Sequence, residues 1–329
     1  MASGFRWFFL GLVGPIGAMK VRISTFLTHP EVQAWNYGER ETSLLAEALP
    51  DAEIRICATE AEFLDALPET EIALVWHFPL EWTERAPHLK WVATPAAGRE
   101  YLPEALAERV RVTYGTFHGK IMSETVLGMM LAAKRSLFAW QDKQQPWPRA
   151  EFESGAGLLR GSRATILGFG PIGRDIAATL LPLGVRVTAV KKSPPQSVVP
   201  NLAIHTVDAL PSLLPETDHL IMVLPDTPET YHLMSGDQLA LLPKTAWLYN
   251  VGRGKALDES ALARAIQAGD LAGAFLDVFE EEPLTPDSPL RQLDQVFLLP
   301  HASAICPEYL FFFTLEVISH ARGFGFTAE

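Results

Sequence analysis

"ILGFGPIGRDIAATLLPLGVRVTAV", residues 166–190, is the stretch that decides the fold of this chain. An apolar run leads into Gly168, Gly170 and Gly173, spaced G-x-G-x-x-G, and an amphipathic stretch follows before a second β-branched run. Each glycine answers a different physical need. Gly168 permits a tight turn out of a strand, Gly170 lets the backbone approach a pyrophosphate, and Gly173 lets helix and strand pack closely. The helix expected after the turn aims its unpaired N–H groups and positive dipole end at the phosphates. Three glycines alone are a weak signal. Between a strand and a helix, with another strand behind, they point to a dinucleotide-binding unit.

Working outward, short β-prone runs recur on both sides. Downstream lie "HLIMVL" (219–224), "AWLYNV" (246–251), "GAFLDVF" (273–279) and "VFLLP" (296–300). Upstream lie "KVRISTFL" (20–27), "AEIRICA" (52–58), "EIALVWHF" (71–78), "LKWVATP" (89–95) and "VRVTYG" (110–115), with helical patterns such as "ETSLLAEAL" and "EAEFLDAL" between the earlier ones. Alternating strands and helices predict parallel α/β sheets, and two such runs predict two domains. Between them "SETVLGMMLAAKRSLFAWQDKQ" (123–144) predicts one long helix, with Ser123 as its N-cap and a stop near Pro146 and Pro148. The closing segment "PEYLFFFTLEVISHARGF" reads as a helix that returns to the first domain.

Composition excludes several classes of protein. Of 329 residues, 48% are hydrophobic and 20% charged, which is ordinary for a globular chain. A formal net charge of −12, with no basic run longer than a pair, argues against nucleic acid and anionic membranes as partners. Two distant cysteines, Cys57 and Cys306, suit a reducing, cytoplasmic compartment. No Cys or His cluster has metal-ligand spacing, so no metal is expected. The apolar stretch 1–18 is read as a disordered extension ahead of a start at Met19, with a secretory signal as the alternative.

Three polar residues sit where strands end. Arg253 follows the strand ending near Val251, Glu282 lies three residues past Phe279, and His301 follows "FLLP" directly. Open α/β sheets bind ligands at the carboxyl ends of their strands. A guanidinium fork holds a carboxylate and polarises a neighbouring carbonyl. A histidine titrates in the range useful for protonating an oxygen, and a glutamate beside it favours the imidazolium and orients the ring. Together these groups suit the reduction of a 2-keto acid. Singly, each also reads as an ordinary surface or loop residue.

The same stretches resemble the D-isomer-specific 2-hydroxyacid dehydrogenases. The likeness rests on "NVGRG" (250–254), "GAFLDVFEEEPL" (273–284), "PH" (300–301) and "LPDTPET" (224–230), strong from Gly168 to His301 and loose in the first domain. It implies a flavodoxin-like substrate domain, 19–118 plus 305–329, and an inserted Rossmann NAD(P)-binding domain, 119–304, with the active site between them. It implies that Arg253 binds substrate, that His301 is the general acid/base, and that Glu282 is its partner, which leaves Glu280 and Glu281 without a role. It further implies that Pro171 and Ile172 line the pyrophosphate turn, that Leu224, Pro225 and Val251 line the cofactor, and that Asp277 lies near the nicotinamide carboxamide. Relatives of this kind dimerise around the long helix, so a homodimer is expected, with Trp140 and Trp147 at the contact or in the core.

Within the family, "ALVWHFPLEW" is similar to the bacterial glyoxylate/hydroxypyruvate reductases, which places Trp76 in a small substrate pocket or in the core. Ala97, Gly98 and Arg99 fall where the family holds the substrate carboxylate, although an arginine there departs from the usual small residue. The implied substrate is a small 2-keto or 2-hydroxy acid. A 3-phosphoglycerate or D-lactate dehydrogenase, and a non-catalytic NAD(H)-sensing corepressor, remain alternatives. The strand "VTAVKKS" ends in Lys191, Lys192 and Ser193 where NAD-dependent relatives carry an aspartate. Cations there suit a 2′-phosphate, so NADP is the expected cofactor, with NAD also usable.

Overall fold

The computed structural model describes residues 21–137, 155–193 and 202–323, with Arg149 and Glu153 between them. The apolar stretch 1–18, Trp140 and Trp147 lie outside the described residues. The chain divides into two compact units, Met1–Phe117 with Cys306–Glu329, and His118–Ile305.

The first unit is built on a parallel five-stranded sheet. Its strands are β1 (Arg22–Phe26), β2 (Glu53–Ile56), β3 (Ile72–Val75), β4 (Trp91–Thr94) and β5 (Arg111–Tyr114), in the order β2-β1-β3-β4-β5. β3 "IALV" and β4 "WVAT" are buried at every position, as inner strands covered on both faces must be. The edge strand β2 "EIRI" is largely exposed. Helices α1 (Glu39–Ala48) and α2 (Glu60–Ala66) follow the first two strands, and the Thr59 hydroxyl caps α2 by accepting from the Glu62 N–H. The strand order reverses between β1 and β3, the flavodoxin-like arrangement.

The second unit opens with α3 (His118–Lys134) and holds a parallel seven-stranded sheet. Its strands are β6 (Arg163–Leu167), β7 (Arg186–Lys191), β8 (Ala203–Thr206), β9 (His219–Met222), β10 (Trp247–Asn250), β11 (Gly273–Leu276) and β12 (Val296–Leu298), ordered β12-β11-β10-β9-β6-β7-β8. The order reverses between β6 and β9, as in a doubly wound Rossmann sheet. Both faces are covered. Leu220, Met222, Leu248 and Leu276 enter one core and Ile221, Tyr249 and Phe275 the other. Helix α4 (Pro171–Leu180) runs from the glycine turn, and α5 (Glu259–Gln267) starts at Asp258, whose carboxylate caps it through the Ala261 N–H.

Three details differ from the sequence reading. The long helix begins five residues before Ser123, which sits inside it and is buried, bonding the Lys120 carbonyl at 3.4 Å. Gly119 is the reason: a Cβ there would lie 2.4 Å from the Asp175 carboxylate, so the close approach of α4 engages the helix from its first turn. The helix also closes earlier, at Lys134, ahead of Ser136 with its φ of 50°. Edge strand β8, "AIHT", carries a polar residue at two of its four positions, too weak a pattern to predict a strand. The phenylalanine run of the last helix, α6 (Tyr309–Gly323), is explained within its own unit: Phe311 lies under Arg40 at 4.2 Å, Phe312 stacks on Phe117, and Phe313 is buried.

Candidate active site

The glycine turn leaves β6 at the switch point of the seven-stranded sheet. Gly168 adopts a φ of +99°, and a Cβ on it would meet the Val223 carbonyl at 2.3 Å. A Cβ on Gly173 would meet the Gly168 carbonyl at 2.2 Å. Those two glycines are demanded by the protein's own packing. Gly170 is exposed, and a Cβ there would meet nothing within 4 Å among the described residues. Open space at the start of a helix, beside a residue that presents bare backbone, is a cradle for a pyrophosphate. The residues present therefore fit a dinucleotide. Pro171 occupies the first turn of α4, with Ile172 half-buried behind it. Leu224 and Pro225 follow β9, and Val251, buried, follows β10. These two loops nearly touch, since a Cβ on Gly252 would stand 2.5 Å from the Leu224 nitrogen.

Lys191 is the last residue of β7 and Lys192 and Ser193 are exposed beyond it. Lys192 Nζ donates to Glu229 Oε1 at 3.0 Å, from the turn after β9. That hydrogen bond leads the causes that hold the Glu229 carboxyl down at about 2. An acid therefore stands near the end of β7 after all, contributed by another loop.

Arg253, Glu282 and His301 follow β10, β11 and β12, three adjacent strands of one sheet. Asn250 shapes the first loop, accepting from the Gly252 N–H and donating to the Arg253 carbonyl, each at 3.2 Å. Glu282 bridges two segments: Oε1 accepts from the Phe279 N–H at 3.0 Å and Oε2 lies 2.8 Å from His301 Nδ1. Side-chain exposure is 46% for His301 and 37% for Glu282, so the pair is reachable from solvent. His301 has a φ of +52°, a left-handed conformation costly for a residue with a Cβ. Asp277 holds it there. The His301 N–H donates to the Asp277 carbonyl at 2.9 Å, and the buried Asp277 carboxylate accepts from the N–H groups of Ala302 and Ser303.

Other candidates sit in the first unit. Trp76 follows β3, half-buried, and its indole N–H donates to the Trp35 carbonyl at 3.3 Å. Its ring lies in an aromatic cluster with Trp35 and Tyr309. Ala97 and Gly98 form the turn after β4, and Arg99 is exposed beside Tyr114, 5.9 Å from the ring. Asn250 carries no role in the sequence; an asparagine at a strand end, three residues before an arginine, is the signal for it that the chain offers.

A glycine cradle at the switch point of a doubly wound sheet, with a histidine–carboxylate pair on neighbouring strand ends, defines a dinucleotide-dependent oxidoreductase. The chain belongs to the family of D-isomer specific 2-hydroxyacid dehydrogenases, whose NAD binding domain matches residues 127–303. It is 34% identical over 242 residues to a glyoxylate reductase of Thermofilum pendens, covering 69% of each chain. Among solved structures it is similar to a D-isomer specific 2-hydroxyacid dehydrogenase of Xanthobacter autotrophicus Py2 in complex with NADPH and MES, at 29% identity and a TM-score of 0.72 over 93% of this chain and 96% of that one. It is also similar to an NADPH-dependent glyoxylate/hydroxypyruvate reductase of Sinorhizobium meliloti in complex with NADP and sulfate, at 26% identity and a TM-score of 0.70 over 93% and 96%. The chain is accordingly an NAD(P)-dependent enzyme of the 2-hydroxy and 2-keto acids. Among the described residues no helix is long and apolar enough to cross a membrane.

Proposed function

We propose that this protein is an NADPH-preferring reductase of small 2-keto acids of the glyoxylate and hydroxypyruvate type, yielding D-2-hydroxy acids. The observation that carries the reading is the 2.8 Å contact between His301 Nδ1 and Glu282, on a turn that Asp277 braces from below. With Nδ1 engaged by a carboxylate, the ring is oriented and Nε2 is left to give its proton to the substrate's carbonyl oxygen. Arg253, on the adjacent strand end, supplies the cation for the carboxylate and the polarised carbonyl. A bound nicotinamide dinucleotide supplies the hydride. Gly168, Gly170, Pro171, Ile172 and Gly173 are assigned to its pyrophosphate, and Leu224, Pro225, Val251 and Asp277 to its nicotinamide half.

The preference for NADPH is supported by Lys191 and Lys192 at the end of β7, and by the NADPH or NADP bound in two similar structures. Trp76 is assigned to the substrate side by its ring face alone, because its N–H is already engaged. Ala97, Gly98 and Arg99 are assigned to the carboxylate. A cytoplasmic homodimer completes the reading, supported by two free cysteines and by the habit of the family.

The test is turnover of glyoxylate, hydroxypyruvate, pyruvate and 3-phosphohydroxypyruvate with NADPH and with NADH. The reading expects glyoxylate and hydroxypyruvate with NADPH to lead in kcat/KM. It expects His301→Ala to lose roughly two to four orders of magnitude in turnover. Preference for the phosphorylated substrate, or normal turnover in His301→Ala, refutes it.

A further inference from the structure

Two loops that carry candidate catalytic groups are tied together by residues with no assigned role. Glu259 is the first residue of α5, six positions after Arg253, and Glu280 lies two positions before Glu282. Each carboxylate accepts from the other's backbone. The Glu259 N–H donates to Glu280 Oε1 at 3.2 Å, and the Glu280 N–H donates to Glu259 Oε1 at 2.6 Å. Beneath them the backbones are in contact, for a Cβ on Gly254 would overlap the Phe279 carbonyl carbon at 1.8 Å. A third segment closes the cluster. The His232 N–H donates to the Lys255 carbonyl at 2.8 Å, and His232 Nε2 lies 3.2 Å from Glu280 Oε1, at ion-pair distance without hydrogen-bond alignment. Tyr231 stacks on the His232 ring at 4.1 Å. The loops after β9, β10 and β11 thus meet at Glu280.

Two carboxylates side by side repel one another, and a backbone N–H is satisfied by any carbonyl. Their presence calls for a reason. Burial pushes the Glu259 carboxyl up, the Glu280 amide opposes that, Glu280 and Glu282 push it up further, and His232 pulls it down. A bond from an N–H to a carboxylate is shorter and stronger than one to a neutral acceptor, and so it fixes backbone more tightly. The backbone fixed here is that of 279–280, and the Phe279 N–H is the same one that holds Glu282 Oε1.

We propose that Glu259, Glu280 and His232 are positioning residues: they lock the turn 279–282 onto the loop 252–259, so that Glu282 reaches His301 while the loop that carries Arg253 stays fixed to the same turn. The proposal rests on the roles given above to Arg253, Glu282 and His301. It also explains why Gly254 has no room for a side chain. None of the three touches the reacting atoms. They act through the orientation of Glu282, and a displacement of about 1 Å in a catalytic group costs up to about a hundredfold in rate.

The test uses the full chain with NADPH and glyoxylate, comparing Glu280→Ala, Glu280→Gln, Glu259→Ala, Glu259→Gln and His232→Gln with the wild type and His301→Ala. Steady-state kcat and KM, the Kd for NADPH by fluorescence, and the melting temperature are measured for each. The expected result is a fall in kcat of about ten- to a hundredfold in Glu280→Ala, with the Kd for NADPH unchanged. Glu280→Gln keeps an acceptor of the same shape without its charge and recovers part of the loss, which mere destabilisation does not predict. Should Glu280→Ala fail to fold, Glu259→Ala at the helix terminus carries the same expectation. Wild-type kcat in the folded alanine variants overturns the proposal, and so does an equal loss in the glutamine and alanine variants. If His301→Ala turns over normally, the underlying functional reading fails instead. If His301→Ala is inactive while Glu280→Ala and Glu259→Ala are normal, only the positioning role is lost.

Discussion

Removing the titrating group at His219 should flatten the acid side of this protein's stability curve. His219 opens β9 and is 1% exposed, in the middle of the sheet that carries the candidate site. Its Nδ1 lies 2.9 Å from the Tyr249 hydroxyl on β10, and Nε2 is buried with no hydrogen-bond partner among the described residues. Burial is the main cause that drives the imidazole down from 6.5 to about 4, with Lys134 adding to it and Asp218 opposing. The sign follows directly. In the fold the ring stays neutral, while the unfolded chain takes up a proton below pH 6.5, so stability falls between pH 6.5 and about 4 and levels off below. The full loss is about 3 kcal/mol, and at pH 5 it is already about 2 kcal/mol. The assay is urea unfolding at pH 7 and pH 5, with hydrogen exchange of peptides covering 219–222 and 247–250 as a local readout. Wild type should lose about 2 kcal/mol more than His219→Leu between the two pH values. A further check lies in the pair itself. His219→Leu and Tyr249→Phe each strand a buried polar group, at about 1–3 kcal/mol, whereas the double variant should cost clearly less than their sum. Identical pH dependence in wild type and His219→Leu refutes the reasoning, for the histidine would then be hydrated or already protonated in the fold.

Five further variants separate packing from function. Gly170→Val should leave the melting temperature near wild type, because its Cβ meets open space, yet raise the Kd for NADPH at least about tenfold; Gly168→Ala, at a φ of +99°, should instead destabilise the fold, by at least the roughly 1–2 kcal/mol of a left-handed residue. Asp277→Asn removes charge from the three N–H contacts under the His301 turn and should cost about ten- to a hundredfold in kcat/KM, measured with glyoxylate and NADPH. Lys191→Asp combined with Lys192→Ala should raise the KM for NADPH about ten- to a hundredfold while leaving NADH usable, and Glu229→Gln should lower the KM for NADPH by freeing Lys192; an unchanged NADPH KM in both takes these residues out of cofactor choice.

Much of the architecture was legible because its signals are local. The G-x-G-x-x-G turn, the strand-length apolar runs and the helical patterns between them depend on neighbours within a few residues, and they lead to two doubly wound sheets. Boundaries were less legible. Ser123 looks like an N-cap by residue type, but the approach of Asp175 to Gly119 starts the helix five residues earlier. Strand β8 carries too few apolar side chains to announce itself, and it forms because β7 offers it an edge to pair with. The candidate site residues could be named from their places at strand ends and from the resemblance to a known family, and the structure sets Arg253, Glu282 and His301 on three adjacent strand ends. Their supports are less legible. The resemblance places Asp277 near the nicotinamide carboxamide, and only the structure puts its carboxylate under the His301 turn, while Asn250, Glu259, Glu280 and His232 read as ordinary polar residues until the segments they join are brought together.

Residue types at each turn and strand end are legible along the chain: glycine where only backbone fits, arginine, glutamate and histidine beyond three strands, and lysines past the end of β7. Those follow from chemistry that acts along a few consecutive residues. Which of these groups meet is set by the tertiary structure, apart from the pairing of Glu282 with His301 that the resemblance implies. Lys192 finds Glu229 across 37 residues, Glu259 and Glu280 exchange backbone bonds across 21, and His301 reaches Glu282 across 19. The physical reason is that parallel strands place residues distant in the chain at one edge of the sheet. Hydrogen bonds and close contacts there depend on ångström-level distances that no periodicity in the sequence records.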